Sequence, residues 1–149
     1  MYRASIIIRT LNEARHVGAS LDRIAAQSIR HGELEVIVVD SGSTDATVEI
    51  ARSRGCRILH IRREDFSFGR SLNLGCAAAT GNTLVFVSGH CLPSTGTWLE
   101  RLIRPIERGE ASVTYGRQRG GETTLFSEHQ IFLKYFPRAD TNRPNKFFC

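Results

Sequence analysis

Short β-branched or aliphatic runs, each ending in a polar segment and then giving way to helical spacing, constrain this chain most. Residues 4–9, with Ile6-Ile7-Ile8, stop at Thr10-Leu11-Asn12-Glu13. From Val17 apolar residues recur through Leu21, Ile24, Ala25 and Ile29, as in an amphipathic helix. Residues 35–40 are apolar between Glu35 and Asp40, the pattern of a strand buried on both faces. Ser41-Gly42-Ser43 then turns into a helix capped by Ser43 or Thr44, with Asp45 in its first turn and Val48, Ile50 and Ala51 on its apolar side. A third strand is expected over 57–61, a helix over 70–79, a fourth strand over 83–88 and a helix over 95–107 carrying Trp98, Leu99, Leu102, Ile103 and Ile106 inward. Residues 111–115 read as a fifth strand and 125–136 as a last helix with Phe126, Phe132, Tyr135 and Phe136. Such alternation predicts an α/β fold: a Rossmann-like, mostly parallel sheet with helices on both faces and right-handed crossovers.

At 149 residues the chain reads as one domain at most, spanning 1–149. No run approaches the ~20 apolar residues of a spanning helix, and Met1-Tyr2-Arg3 opens no signal-peptide pattern, so a cytoplasmic location is expected. Cys56, Cys76, Cys91 and Cys149 fall in no metal or CxxC spacing and read as free thiols. The net charge of +5 is carried almost wholly by arginine, with only Lys134 and Lys146 as lysines. Because the arginines are scattered, a nucleic-acid partner is not expected. An anionic small molecule or an anionic membrane surface suits them better.

Ligands of open α/β sheets bind beyond the carboxyl ends of the strands. Three clusters therefore stand out: Thr10, Asn12 and Glu13 after the first strand, Asp40 to Asp45 after the second, and Ser88-Gly89-His90-Cys91 after the fourth. Neither GxGxxG nor a P-loop occurs, which leaves a dinucleotide Rossmann site or a P-loop NTPase without support. Asp40 closes a strand with a carboxylate. Such a group accepts well from a nucleobase imide or a ribose hydroxyl; equally, Asp40 and Asp45 serve to hold a turn and a helix start, and the residues alone leave both readings open.

The successive segments Ser5-Ile6-Ile7-Ile8-Arg9-Thr10-Leu11-Asn12-Glu13, Val38-Val39-Asp40-Ser41-Gly42-Ser43-Thr44-Asp45, Asn73-Leu74-Gly75 and Leu84-Val85-Phe86-Val87 resemble the motifs of family 2 glycosyltransferases, which have the GT-A fold. Trp98-Leu99 through Tyr115-Gly116-Arg117-Gln118 resembles the rhamnosyltransferase-like branch, involved in cell-surface polysaccharide assembly. The resemblance implies transfer of a sugar, with inversion, from a nucleoside diphosphate donor (UDP or dTDP) to a saccharide or lipid-linked acceptor, with the protein peripheral to the inner face of a membrane. It implies that Thr10, Asn12 and Glu13 border the nucleotide, that Asp40 with Ser41 recognises the base, and that Asp45 is the second acid of that motif. Ser88 and His90 would face the diphosphate or sugar, and Arg117 and Gln118 the sugar or acceptor.

Two departures qualify that picture. Family members usually carry Asp-x-Asp after the fourth strand, whose acids hold Mg²⁺ or Mn²⁺; here Ser88-Gly89-His90-Cys91 offers no carboxylate, and His90 is left as a single metal ligand or as a donor to the diphosphate. The family's Arg-Asn-x-Gly reads Leu72-Asn73-Leu74-Gly75, with Arg70 earlier and about 200° away on a helix, so Arg70 is either a phosphate contact or a solvated charge. No acid matches the family's general base, and residues 145–149 resemble the entry to its next strand. The expectation is a fragment, its sheet incomplete on the C-terminal side, that binds donor nucleotide weakly and turns over poorly. The alternative is a non-catalytic nucleotide-sugar-binding or truncated, inactive module.

Overall fold

The computed structural model describes residues 3–29, 33–120 and 126–135. The chain divides into two compact units, Met1–Thr114 and Tyr115–Cys149.

In the first unit β1 (Ala4–Thr10) leads to α1 (Ala14–Ala25), β2 (Leu34–Asp40), α2 (Thr47–Ser53), β3 (Arg57–His60), a 3-10 turn at Arg63–Asp65, α3 (Phe68–Ala78), β4 (Thr83–Ser88) and α4 (Trp98–Glu107). The strands lie in the order β3-β2-β1-β4, and every pairing is parallel. Register pairs Thr10 with Asp40, Arg9 with Ser88 and Asp40 with His60. All four strands thus end at nearly the same level, bringing the residues at their carboxyl ends to one edge.

Strand alternation divides the core into two layers. Ala4, Ile6, Ile8, Val38, Val85 and Val87 pack with Val17, Leu21 and Ile24 of α1, Ala51 of α2, and Leu99 and Ile103 of α4. On the other face Ile7, Ile37 and Val39 meet Leu72, Cys76 and Ala78 of α3. Each fully buried Leu or Ile contributes about 1.5–3 kcal/mol. Helix α3 comes this close because Gly75 has no side chain: a Cβ there would lie 2.5 Å from Ile7 Cγ2. Helices therefore cover both faces, as the alternation predicts. Among the described residues β4 is an edge strand, with Leu84 and Phe86 exposed on its α3 side.

Several boundaries differ from expectation, for reasons that lie in hydrogen bonding. Helix α1 stops at Ala25, although Ile29 remains buried beyond it. Neither Ser43 nor Thr44 caps α2, since Ser43 Oγ donates to Asp40; Asp45 does that work by accepting from the Thr47 amide. Ser67 starts α3 at Phe68 by accepting from the Arg70 amide at 3.1 Å. The expected fifth strand does not form: residues 111–120 have no regular structure, and Ala111 N donates to Pro105 O while Thr114 Oγ1 donates to Leu102 O, tying residues 111–114 to α4. Trp98, Leu102 and Ile106 are half-buried, and only Leu99 and Ile103 of α4 are fully inside.

The second unit contains α5 (Phe126–Tyr135), on which Phe132 is half-buried. The side chains of Phe126 and Tyr135, Phe136 and the motif-like ending at 145–149 lie outside the described residues. Cys56, Cys76 and Cys91 are free thiols; Cys149 too lies outside the described residues.

Candidate functional site

After β1 the chain turns sharply at Asn12, whose φ of 54° lies in the left-handed region that Asn tolerates better than most residues. That turn brings the 10–13 loop against the loop after β2. Asn12 N donates to Ser43 Oγ at 2.9 Å, and Asn12 Oδ1 accepts from Thr44 N at 2.8 Å. Glu13 N donates to Thr47 Oγ1 at 2.8 Å and Ala14 N to Asp45 Oδ2 at 3.0 Å. Bonds from the Thr47 hydroxyl outweigh the opposing effect of burial and, with the Ala14 and Thr47 amides, hold the Asp45 carboxyl below its usual range. Asp45 therefore works as an anionic staple between α1 and α2.

Asp40 is 1% exposed and has four donors. Thr10 Oγ1 (3.2 Å) and Ser43 Oγ (2.5 Å) donate to Oδ1, and Gly42 N and Ser43 N, both at 3.0 Å, donate to Oδ2. All four lone-pair directions of a carboxylate are then filled. For Asp40 to accept from a base, one donor must yield, and the Thr10 and Ser43 hydroxyls are the ones that can rotate. Ser41, also buried, donates from Oγ to Thr10 O at 3.0 Å.

The loop after β4 is anchored along its length. Gly89 N donates to Arg9 O at 3.1 Å, Ser20 Oγ to Cys91 O at 2.8 Å and Arg23 Nη1 to Pro93 O at 2.9 Å. Gly89 packs so tightly that a Cβ would lie 3.0 Å from Thr10 Cγ2 and 3.1 Å from Glu13 Cγ. On this fixed backbone the His90 side chain is 61% exposed, with Nδ1 2.9 Å from Glu13 Oε1. Ser88 is half-buried beside it.

Thr10, Asn12, Glu13, Asp40, Ser41, Asp45, Ser88 and His90 are thus brought to one edge of the sheet. Arg70 is not bonded to them; it is exposed on the first turn of α3, with Nη1 3.5 Å from Asp65 O. Arg117 and Gln118 belong to the second unit, where both are exposed. Two residues at the same edge escape sequence reading. His60 ends β3 with Nδ1 3.8 Å from Asp40 Oδ2. Arg9 lies over the Phe68 ring, 4.6 Å from its centroid, and lines a cleft of about 90 Å³ with Leu72, Phe86, Val87 and Ser88. Only strand register, which composition does not reveal, places them there.

The described residues form no ready-made site for a resident divalent cation. Among the described residues no three His, Cys, Asp or Glu side chains cluster to hold one. Asp40 already accepts from four protein donors, and Asp45 from the Ala14 and Thr47 amides and the Thr47 hydroxyl, which leaves Glu13 and His90 as side chains at this edge that could meet a cation.

Residues 5–149 match the family model described as glycosyl transferase family 2. The glycosyltransferase AglE of Haloferax volcanii is 38% identical over 106 residues, covering 68% of this chain and 34% of that protein. The chain therefore spans about a third of that relative's length. Glucosyl-3-phosphoglycerate synthase of Mycobacterium tuberculosis, solved with Mn²⁺, UDP and glucosyl-3-phosphoglycerate, superposes with a TM-score of 0.59 at 27% identity, over 70% of this chain and 39% of that one. TarS of S. aureus, solved with UDP, reaches a TM-score of 0.69 at 23% identity, over 84% and 38%, a likeness of fold. The parallel sheet covered on both faces is that of the GT-A glycosyltransferases, and the chain belongs to glycosyl transferase family 2.

Proposed function

We propose that this chain forms the donor-binding part of an inverting glycosyltransferase, one that moves a sugar from UDP or dTDP to a saccharide or lipid-linked acceptor in cell-surface polysaccharide assembly. One observation carries this reading: three loops from three strand ends are bonded to one another through Asn12–Ser43, Glu13–Thr47 and Glu13–His90 into one polar surface. A nucleoside diphosphate laid along it would put its base near Asp40 and Ser43 and its phosphates near Ser88 and His90. UDP in two structural relatives supports the donor class. Work at the inner face of a membrane agrees with the basic charge, and no described helix is long and apolar enough to cross one.

Arg117 and Gln118 are assigned to the sugar or acceptor side by family resemblance, and Arg70 to the phosphates on the same ground. Amide chemical shifts of the chain titrated with UDP, dTDP and GDP test the placement. Shifts confined to residues 10–13, 40–45 and 88–90 are expected with UDP or dTDP. Shifts elsewhere, or none, would end the proposal.

A further inference from the structure

Arg9 carries a positive charge that no acid among the described residues answers. Strand alternation puts it on the α3 face of the sheet with Ile7, and register sets it beside Ser88 of β4. Both line the cleft of about 90 Å³ whose other walls are Leu72, Phe86 and Val87, several times the roughly 10–15 Å³ that one water needs. We infer that this cleft takes phosphate oxygens of the ligand, with the Arg9 guanidinium and the Ser88 hydroxyl as their donors. The inference rests on the nucleotide reading of the site and names a further residue for it.

The guanidinium has donors to spare. Phe68 packs against its central carbon, 4.6 Å from the ring centroid, which fixes the group without taking up its N–H bonds. Among the described residues neither the Arg9 side chain nor Ser88 Oγ makes a hydrogen bond. A guanidinium offers five N–H donors in a planar fork and matches the oxygens of a phosphate better than an ammonium does. Apolar walls at Leu72 and Phe86 lower the local dielectric and strengthen such a contact. Leu72 is also the residue that stands where the family motif has arginine, so in one cleft a guanidinium from β1 accompanies the loss of one from the helix.

Spacing agrees. Neighbouring strands lie about 4.8 Å apart, so Asp40 on β2 and Ser88 on β4, two strands away, are separated by about 10 Å. A ligand with its base at Asp40 then brings its phosphates, rather than its ribose, to Arg9 and Ser88.

Calorimetric titration of the 149-residue chain with UDP, uridine and inorganic pyrophosphate tests this, in Mn²⁺ or in EDTA, whichever gives the tighter UDP binding. Arg9→Met keeps an apolar stem against Phe68 and should weaken UDP and pyrophosphate at least about 10-fold, the scale of one charge-assisted hydrogen bond, with uridine unchanged. Arg9→Lys keeps the charge but loses the fork, and its UDP affinity should fall between those of Arg9→Met and wild type. Ser88→Ala should weaken UDP about 3-fold. Urea unfolding of the same samples shows which variants are folded; should Arg9→Met not fold, Arg9→Lys is read in its place. UDP affinity that the folded Arg9 variant leaves unchanged, or a loss shared equally by uridine, overturns the inference while sparing the nucleotide reading. A folded wild-type chain that binds neither UDP nor uridine overturns both.

Discussion

Replacing Asp40 separates what its carboxylate does for the fold from what it does for a ligand. Alanine removes the acceptor of four donors, two of them backbone amides and two hydroxyls, at a position 1% exposed. A buried donor left without a partner costs about 1–3 kcal/mol. Since Gly42 is exposed and Ser43 half-buried, water satisfies part of the deficit, and about 4 kcal/mol is expected for Asp40→Ala against the 5–15 kcal/mol that hold a domain together. Asparagine should behave differently. With its oxygen at the Oδ2 position it keeps the Gly42 and Ser43 amides, and its NH₂ then faces the Thr10 and Ser43 hydroxyls, which can turn to accept, so Asp40→Asn should cost about 1 kcal/mol. Urea unfolding followed by the fluorescence of Trp98, the single tryptophan, reads both variants in the first unit. With a slope of about 2 kcal/mol per molar, alanine lowers the midpoint by about 2 M and asparagine by about 0.5 M. Equal costs for the two variants, or an alanine within about 1 kcal/mol of wild type, would refute the account of four satisfied donors. If Asp40 also reads a base, Asp40→Asn should lose UDP affinity well beyond its small loss of stability.

Gly81→Ala should destabilise by about 2 kcal/mol in the same urea assay, because its Cβ would lie 2.6 Å from the Ala4 carbonyl carbon and the Ser5 nitrogen, backbone that cannot step aside cheaply. Burial works to raise the Glu35 carboxyl, but bonds from Ser5, Thr80 and Gly81 outweigh it and hold it below the ordinary 4.5. A depressed carboxyl stabilises the fold fully above its unfolded value and loses that contribution as pH falls through the folded one. Glu35→Gln should therefore flatten the acid side of the stability curve below about pH 4.5, as unfolding midpoints at pH 3 to 6 would record. Burial, slightly opposed by Arg54, pushes the Cys56 thiol up to about 11. In timed alkylation at pH 8, read by mass spectrometry, Cys56 should be modified far more slowly in the folded chain than after unfolding.

The strand and helix order of the first unit can be read directly from the residues. Ile6-Ile7-Ile8 and Val36 to Val39 admit little but buried strand, and the helical spacing of Val17, Leu21 and Ile24 marks their partner, since side-chain periodicity is a local property. A local pattern misleads where the decision is made by a distant hydrogen bond. Residues 111–115 look like a strand, yet Ala111 N and the Thr114 hydroxyl bond to Pro105 and Leu102 of α4. Ser43 looks like a cap, yet its hydroxyl is drawn to Asp40.

The candidate site divides in the same way. Thr10, Asp40 and Ser88 are legible as strand-end residues because a parallel sheet presents those ends together. That Asp40 is saturated, that His60 and Arg9 share the edge, and that His90 meets Glu13 across 77 positions are matters of register and loop anchoring. Sequence by itself determined which segments are strands and which residue types end them, because each depends on near neighbours. Tertiary structure alone decided which donors those end residues meet, because a hydrogen bond is set to within a few tenths of an ångström by chain segments far apart in sequence.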